Sequence, residues 1–186
     1  MTKEIVCKNG EVVLVDDEDH ALLSRHIWYM GSEISRGGYP CMFVYGQRNT
    51  RKQIFMHQLI VPSAVHVDHI DQNKLNNVKS NLRPATWQEN GWNKGANKTR
   101  NGKPCSSKYK GVRYTPLNGK DRWFAGIRHV ERGQPKSTGV TITIGYFDSE
   151  DDAARAYNAK VKELRGEWAW LNPVPELKTT RESAEI

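Results

Sequence analysis

The apolar positions of this 186-residue chain fall into short blocks with different periods. Over residues 1–60 they alternate or cluster in runs too short for helices. Glu11–Val15, Tyr39–Tyr45 and Gln53–Ile60 read as strands, with Gly37-Gly38 and Gly46 as turn punctuation. A single helix is predicted over Glu18–Trp28. Residues 65–94 read as strand, loop, strand, helix. VHVDHI is strand-like, DQNKLNNVKSN is a polar, Asn-rich loop, and NLRPAT is a second strand. Thr86 with Glu89 three residues on makes a capping box, so a helix should begin near Thr86.

The second half has its own pattern. YKGVRYT, RWFAGIRHV and TITIGYF read as three strands joined by LNGKD and VERGQPKSTGV. A helix follows from Asp148 or Ser149. Its first turn is acidic (Glu150, Asp151, Asp152) and its end basic (Lys160, Lys162, Arg165), in the sense that the helix dipole favours. Ala153, Ala156, Tyr157, Val161 and Leu164 form one apolar stripe, which predicts packing on the sheet, and Gly166 is placed for a C-terminal cap. The tail beyond Pro175 is polar and expected to be unstructured. The fold expected is α+β, in two modules: residues 1–95 (core 55–95) and 108–173, with a linker at 96–107 and a tail at 174–186.

Charge sharpens this picture. The net charge is +7, which favours a polyanion. The segment GWNKGANKTRNGKPCSSK is nearly without apolar side chains, and no acid stands between Glu89 and Asp121. We read it as a flexible basic linker, with Lys94, Lys98 and Arg100 placed to follow nucleic-acid phosphates. Cys7, Cys41 and Cys105 are far apart and odd in number, which argues against a disulfide framework and a structural zinc. The opening MTKEIVCKNGEVV carries no signal-peptide run, and no stretch approaches the roughly 20 apolar residues that cross a bilayer. A cytoplasmic protein without a membrane partner is expected.

One segment carries candidate chemistry. Phosphodiester hydrolysis needs a base for water, for which His is best tuned near neutrality. It also needs stabilisation of phosphate charge, usually by a divalent cation held through hard oxygen ligands. VDHIDQNKLNNVKSNLRPATWQEN offers Asp68 as a carboxylate, Asn90 as an amide oxygen and His69 as a base. Adjacent strand residues point to opposite sides, so Asp68 and His69 need a twist or bulge to converge. Asn81 could hold the imidazole and fix its tautomer. Asn76 and Asn77 are expected to shape the turn, since Asn tolerates left-handed backbone. Asp71 is expected to cap the loop, Arg83 to meet phosphate, and His57 to be a packed, hydrogen-bonded histidine.

This segment resembles the HNH, or ββα-metal, nuclease motif of phage intron-encoded homing endonucleases. The resemblance implies metal binding by Asp68 and Asn90, a general base at His69 and an orienting residue at Asn81. The final position is Asn90 rather than the last His that names the motif, and the resemblance then implies one magnesium or manganese ion. The second half, through YKGVR, RWFAGIR, IGYFDSEDDAARAYN and LNP, resembles the Apetala-two/ethylene-response-factor DNA-binding domain over about residues 107–173. That implies a three-stranded sheet facing double-stranded DNA with a helix behind it. Arg113, Trp123 and Arg128 would stand at DNA-facing positions, with Lys110 and Tyr114 beside them. Thr143 replaces the usual Trp, so the preferred site should differ.

Together these readings imply a monomeric, metal-dependent, site-selective DNA endonuclease that nicks one strand, with no obligate protein partner. A DNA-binding regulator with a silent nuclease core competes with this, as does a non-specific nuclease. The intact Asp68, His69, Asn81 and Asn90 set weighs against the first, the dedicated second module against the other.

Overall fold

The computed structural model describes residues 1–31, 38–47 and 50–176. The expected turn at Gly37 and the tail from residue 177 lie outside the described residues. The chain divides into two compact units, Met1–Asn93 and Lys94–Ile186. It is mixed α/β, with several small antiparallel sheets and a few helices.

In the first unit, β1 (Thr2–Val6) and β2 (Val12–Asp16) form a hairpin. Helix α1 (Asp17–Leu23) follows. It stops short of the expected Trp28 because that indole turns inward, where it is buried and donates from Nε1 to the Leu23 carbonyl at 2.8 Å. Strands β3 (Tyr29–Met30), β4 (Pro40–Tyr45) and β5 (Arg51–Phe55) make a three-stranded sheet. Ile5, Val13, Val15, Leu23, Trp28, Met42 and Met56 gather into the core of this unit. Gln53–Ile60, expected as a strand throughout, turns after Phe55 into the short helix α2 (Met56–Ile60).

Next come β6 (His66–His69), β7 (Leu82–Ala85) and α3 (Trp87–Trp92). β6 and β7 are antiparallel, pairing His66 with Ala85 through His69 with Leu82, and α3 packs on both strands. Helix α3 starts where the capping box predicts. The Glu89 amide donates to Thr86 Oγ1 at 3.2 Å, and the Thr86 amide to Glu89 Oε2 at 2.8 Å. The N-terminal hairpin holds the loop between β6 and β7 from outside. Leu14 N donates to the Leu75 carbonyl and Asn77 N to the Leu14 carbonyl, both at 2.8 Å, while Lys79 N donates to Asp16 Oδ2 at 2.7 Å.

The second unit begins with a difference from expectation. The segment read as a flexible linker carries a two-stranded ribbon, β8 (Thr99–Arg100) and β9 (Lys103–Pro104). Asn101 and Gly102 both have positive φ, 51° and 75°, as a two-residue hairpin turn requires. That Asn-Gly dipeptide was the signal, masked by basic composition. Strands β10 (Val112–Tyr114), β11 (Trp123–His129) and β12 (Val140–Phe147) form an antiparallel sheet with a register shift at Ala125/Gly126. Helix α4 (Glu150–Arg165) packs on the sheet. Val112, Ala125 and Ile127 meet Ala153, Ala154, Tyr157 and Val161 there; Ala154 is fully buried and Ala156 only half-buried. Asn172 locks the end of the unit to the sheet, accepting from Lys110 N at 2.7 Å and donating to the Lys110 carbonyl at 3.0 Å.

Candidate active site

Asp68 and His69 end β6 and are both buried. The β6–β7 register runs without a shift, so strict alternation holds and the two side chains meet different neighbours. Asp68 stands directly across from Arg83. The guanidinium donates from Nε and Nη2 to Asp68 Oδ2 at 3.0 and 2.8 Å. Arg83, expected at phosphate, is thus the ion-pair partner of the site carboxylate. An isolated buried carboxylate would be expensive, and the register supplies its countercharge.

The amide that reaches Asp68 from the helix side is that of Asn93, at the C-cap of α3. Asn93 Nδ2 lies 3.2 and 3.1 Å from the two carboxylate oxygens and 2.9 Å from the His69 carbonyl. Asn90, the expected ligand, sits half-buried one turn earlier. Sequence reasoning missed Asn93; its spacing of three residues from Asn90, hence the same helix face, was the available signal.

On the other side of β6, the His69 ring lies among Asn77, Tyr39 and His57. Asn77 Oδ1 is 3.3 Å from His69 Nε2. Asn77 Nδ2 donates to the Lys74 carbonyl at 2.9 Å, which settles the amide's orientation: the atom facing the imidazole is an acceptor. His69 Nε2 therefore carries the hydrogen, and Nδ1 keeps the lone pair. Tyr39 lies 5.6 Å from the ring and His57 5.4 Å, the latter edge-on. Burial pushes the His69 pKa down, against the hydrogen bond it donates to Asn77 and the charges of Asp71 and Asp68. Burial, then the Asp68 charge, pushes the Tyr39 hydroxyl up. The carboxylate's field thus reaches both groups across the strand.

Asn81 does not hold the imidazole. Its Oδ1 accepts from Asp71 N at 3.0 Å, and its Nδ2 donates to Asp71 Oδ1 and the Asn76 carbonyl, both at 2.8 Å. Its amide is spent across the mouth of the loop because it stands just before β7, opposite the loop's other end. Asp71 also accepts from Asn73 N and Asn76 Nδ2 at 2.8 Å. Burial alone would raise its pKa, but these hydrogen bonds outweigh it and hold the carboxyl low. Left-handed backbone occurs at Gln72 (φ 63°) rather than at Asn76 or Asn77, which shape the loop through their side chains.

His57 is packed as expected, stacked on Phe55 at 5.5 Å. The expected hydrogen bond is missing at one nitrogen: Nδ1 is buried without a partner among the described residues. Burial, then the neighbouring His69, pushes its pKa down to about 4.

In the second unit the sheet has one face against α4 and one turned away from it. Arg113 and Phe124 pair across strands on the outward face, the guanidinium 3.8 Å above the ring centroid. Arg128 pairs with Thr141 on the same face. Trp123, expected beside them, packs with the core beneath α4, because it is two residues from Ala125 and shares its side. Tyr114 pairs with Trp123 and donates to Asp121. Lys110 reaches the Lys94 carbonyl. Lys98 and Arg100 stand exposed, Lys98 just before the ribbon and Arg100 within it.

A family model for HNH endonucleases matches residues 60–92, the stretch that contains β6, β7 and α3. The chain belongs to the HNH endonuclease family and is a DNA endonuclease. It is 34% identical over 169 residues to an uncharacterised HNH endonuclease of Acanthamoeba polyphaga mimivirus, covering 89% of this chain and 76% of that relative. No solved structure matches the chain.

Proposed function

We propose that the protein is a site-selective, metal-dependent endonuclease of homing type that hydrolyses one strand of double-stranded DNA, as a monomer, in the cytoplasm of a cell hosting a phage or mobile element. The observation that carries the chemistry is the hydrogen bond committing His69 Nε2 to Asn77 Oδ1. It leaves Nδ1 as the nitrogen that takes a proton from water. The hydroxide forms its bond to phosphorus as the bond to the 3′-oxygen breaks, and the departing 3′-oxyanion takes a proton from solvent water, giving a 5′-phosphate and a 3′-hydroxyl. One catalytic set per chain supports a nick rather than a double-strand break.

The donor set suits a hard divalent cation. Asp68 offers a carboxylate and Asn90 an amide oxygen, the chemistry magnesium or manganese prefers, while Asn93, whose Nδ2 donates to Asp68, would position the carboxylate rather than ligate the ion. Such an ion would supply positive charge at the scissile phosphate and the leaving oxygen. The β6–β7–α3 arrangement supports the ββα-metal reading. The outward face of the β10–β12 sheet, with Arg113 and Arg128, supports the Apetala-two-like reading of the second unit. Lys94, Lys98, Arg100 and Lys110 extend its positive charge, whereas the buried side of the sheet takes Trp123 out of that role.

Plasmid nicking tests the whole. Supercoiled DNA should convert to open circle with magnesium and unmodified protein, and stay supercoiled with EDTA or with His69→Ala. If plasmids from many sources survive all conditions while the protein still retards DNA on gels, a DNA-binding regulator with a silent core is the better description.

A further inference from the structure

The second unit contains a cavity of about 410 Å³ between the β8–β9 ribbon and the outward face of the sheet. Four cations line it: Arg100 from the ribbon, Lys110, and Arg113 and Arg128 from the sheet. None of the described lining residues is acidic. Phe124 contributes an apolar wall and Thr141 a hydroxyl. Tyr114 N donates to Ser106 Oγ at 3.1 Å, which ties the segment after the ribbon to the sheet edge, and Cys105 N donates to the Lys98 carbonyl at 3.0 Å, which closes the ribbon's base. Gly126 is required in this wall: a Cβ there would lie 2.5 Å from the Phe124 ring.

Four cations gathered without a carboxylate among the described lining residues repel one another. Lys110 has its pKa pushed down to about 8 by burial, then by the charges of Arg165 and Lys94, which stand outside this lining. The ligand that relieves such a site is a compact anion with several acceptor oxygens. A guanidinium stacked by its face, as Arg113 is on Phe124, donates through its rim, which suits phosphate oxygens.

We propose that this cavity is a phosphate pocket in which the β8–β9 ribbon clamps one backbone phosphodiester of duplex DNA against the sheet. The site rests on the reading of the second unit as a DNA-binding module. It gives the ribbon a defined job: holding the register of the sheet on the duplex at a point that carries no base information.

Two measurements on the full chain test it. In the first, inorganic pyrophosphate is titrated while the backbone amide signals of Gly111 and Gly126 are followed by NMR. A saturable shift at both, lost in Arg100→Gln and in Lys110→Gln and reversed by unlabelled duplex, is expected. In the second, duplex affinity is measured against salt. Each variant should lower the slope of log K on log salt by about 0.9, with equal loss on cognate and random duplex. Arg100 is exposed on the ribbon, so its variant keeps the fold even if the Lys110 variant does not. No shift with pyrophosphate, a shift that duplex fails to reverse, or an unchanged salt slope in Arg100→Gln overturns the pocket while leaving DNA binding in place. Absence of any duplex binding by the unmodified protein removes the underlying reading, and the pocket's assignment to DNA with it.

Discussion

Asn77 Oδ1 accepts from His69 Nε2 at 3.3 Å, and the same side chain is anchored by Nδ2 on the Lys74 carbonyl at 2.9 Å. Asn77 is fully buried, and its backbone amide is tied to the Leu14 carbonyl. The tautomer of the proposed base is therefore set by a loop that the N-terminal hairpin holds in place. Asn77→Ala should lower the single-turnover nicking rate about 10–100-fold. It should also lower stability by about 1–3 kcal/mol, because the Lys74 carbonyl loses a buried partner. Asn77→Asp keeps the acceptor and should recover part of the rate. Quench-flow nicking assays and denaturant melts separate the two effects; an unchanged Asn77→Ala rate would contradict the role.

Asn81 should behave differently. Its amide spans Asp71 and the Asn76 carbonyl, so Asn81→Ala loosens the loop rather than the imidazole. Hydrogen exchange at the Asp71 amide, which Asn81 Oδ1 now accepts, should accelerate. The melt should drop by about 1–3 kcal/mol.

Arg83→Met removes the countercharge from a buried carboxylate. We expect a loss of about 3–5 kcal/mol in metal-free buffer. Divalent cation should then raise the unfolding midpoint more in the variant than in the unmodified protein, because Asp68 has lost its competing partner. Equal metal-induced shifts would argue against Asp68 as a ligand.

His57 links stability to pH. In the folded protein its pKa lies at about 4, below the ordinary value of 6.5. Above pH 6.5 it is neutral in both states and contributes no pH dependence. As pH falls from 6.5 towards 4, the unfolded chain takes up a proton that the folded protein refuses, so stability falls. The full effect is on the order of 3 kcal/mol. Denaturant melts across that window should show this slope, and His57→Phe should remove the His57 share of it, leaving the part due to His69, whose pKa burial also lowers.

Gly111 tests the second unit. Its φ is +76°, and a Cβ there would stand 2.0 Å from the Tyr157 ring. Gly111→Ala should cost at least about 1–3 kcal/mol from the backbone alone, with the clash added, as read by thermal melting of the variant.

The sequence by itself determined the elements whose signals are local. Thr86 and Glu89 marked the start of α3 because a capping box is closed within three residues. The acidic start and apolar stripe of α4 were legible for the same reason, as were the three strands before it. The Asp68-His69 pair and the loop Asn residues were visible as chemistry. Tertiary structure decided which of them meet. Asn81 and Asn77 are both loop amides in the sequence, and only the closure of β6 on β7 turns one to Asp71 and the other to His69. Asn93 rather than Asn90 reaches Asp68 because helix packing, not residue type, selects the facing position. The sequence already puts Trp123 on one strand face with Ala125 and Ile127, and the packing of α4 on that face decides that it is the core side. The ribbon at Asn101-Gly102 was local and readable, but the basic composition around it resembled a linker, and only packing against the sheet shows the cavity those charges enclose.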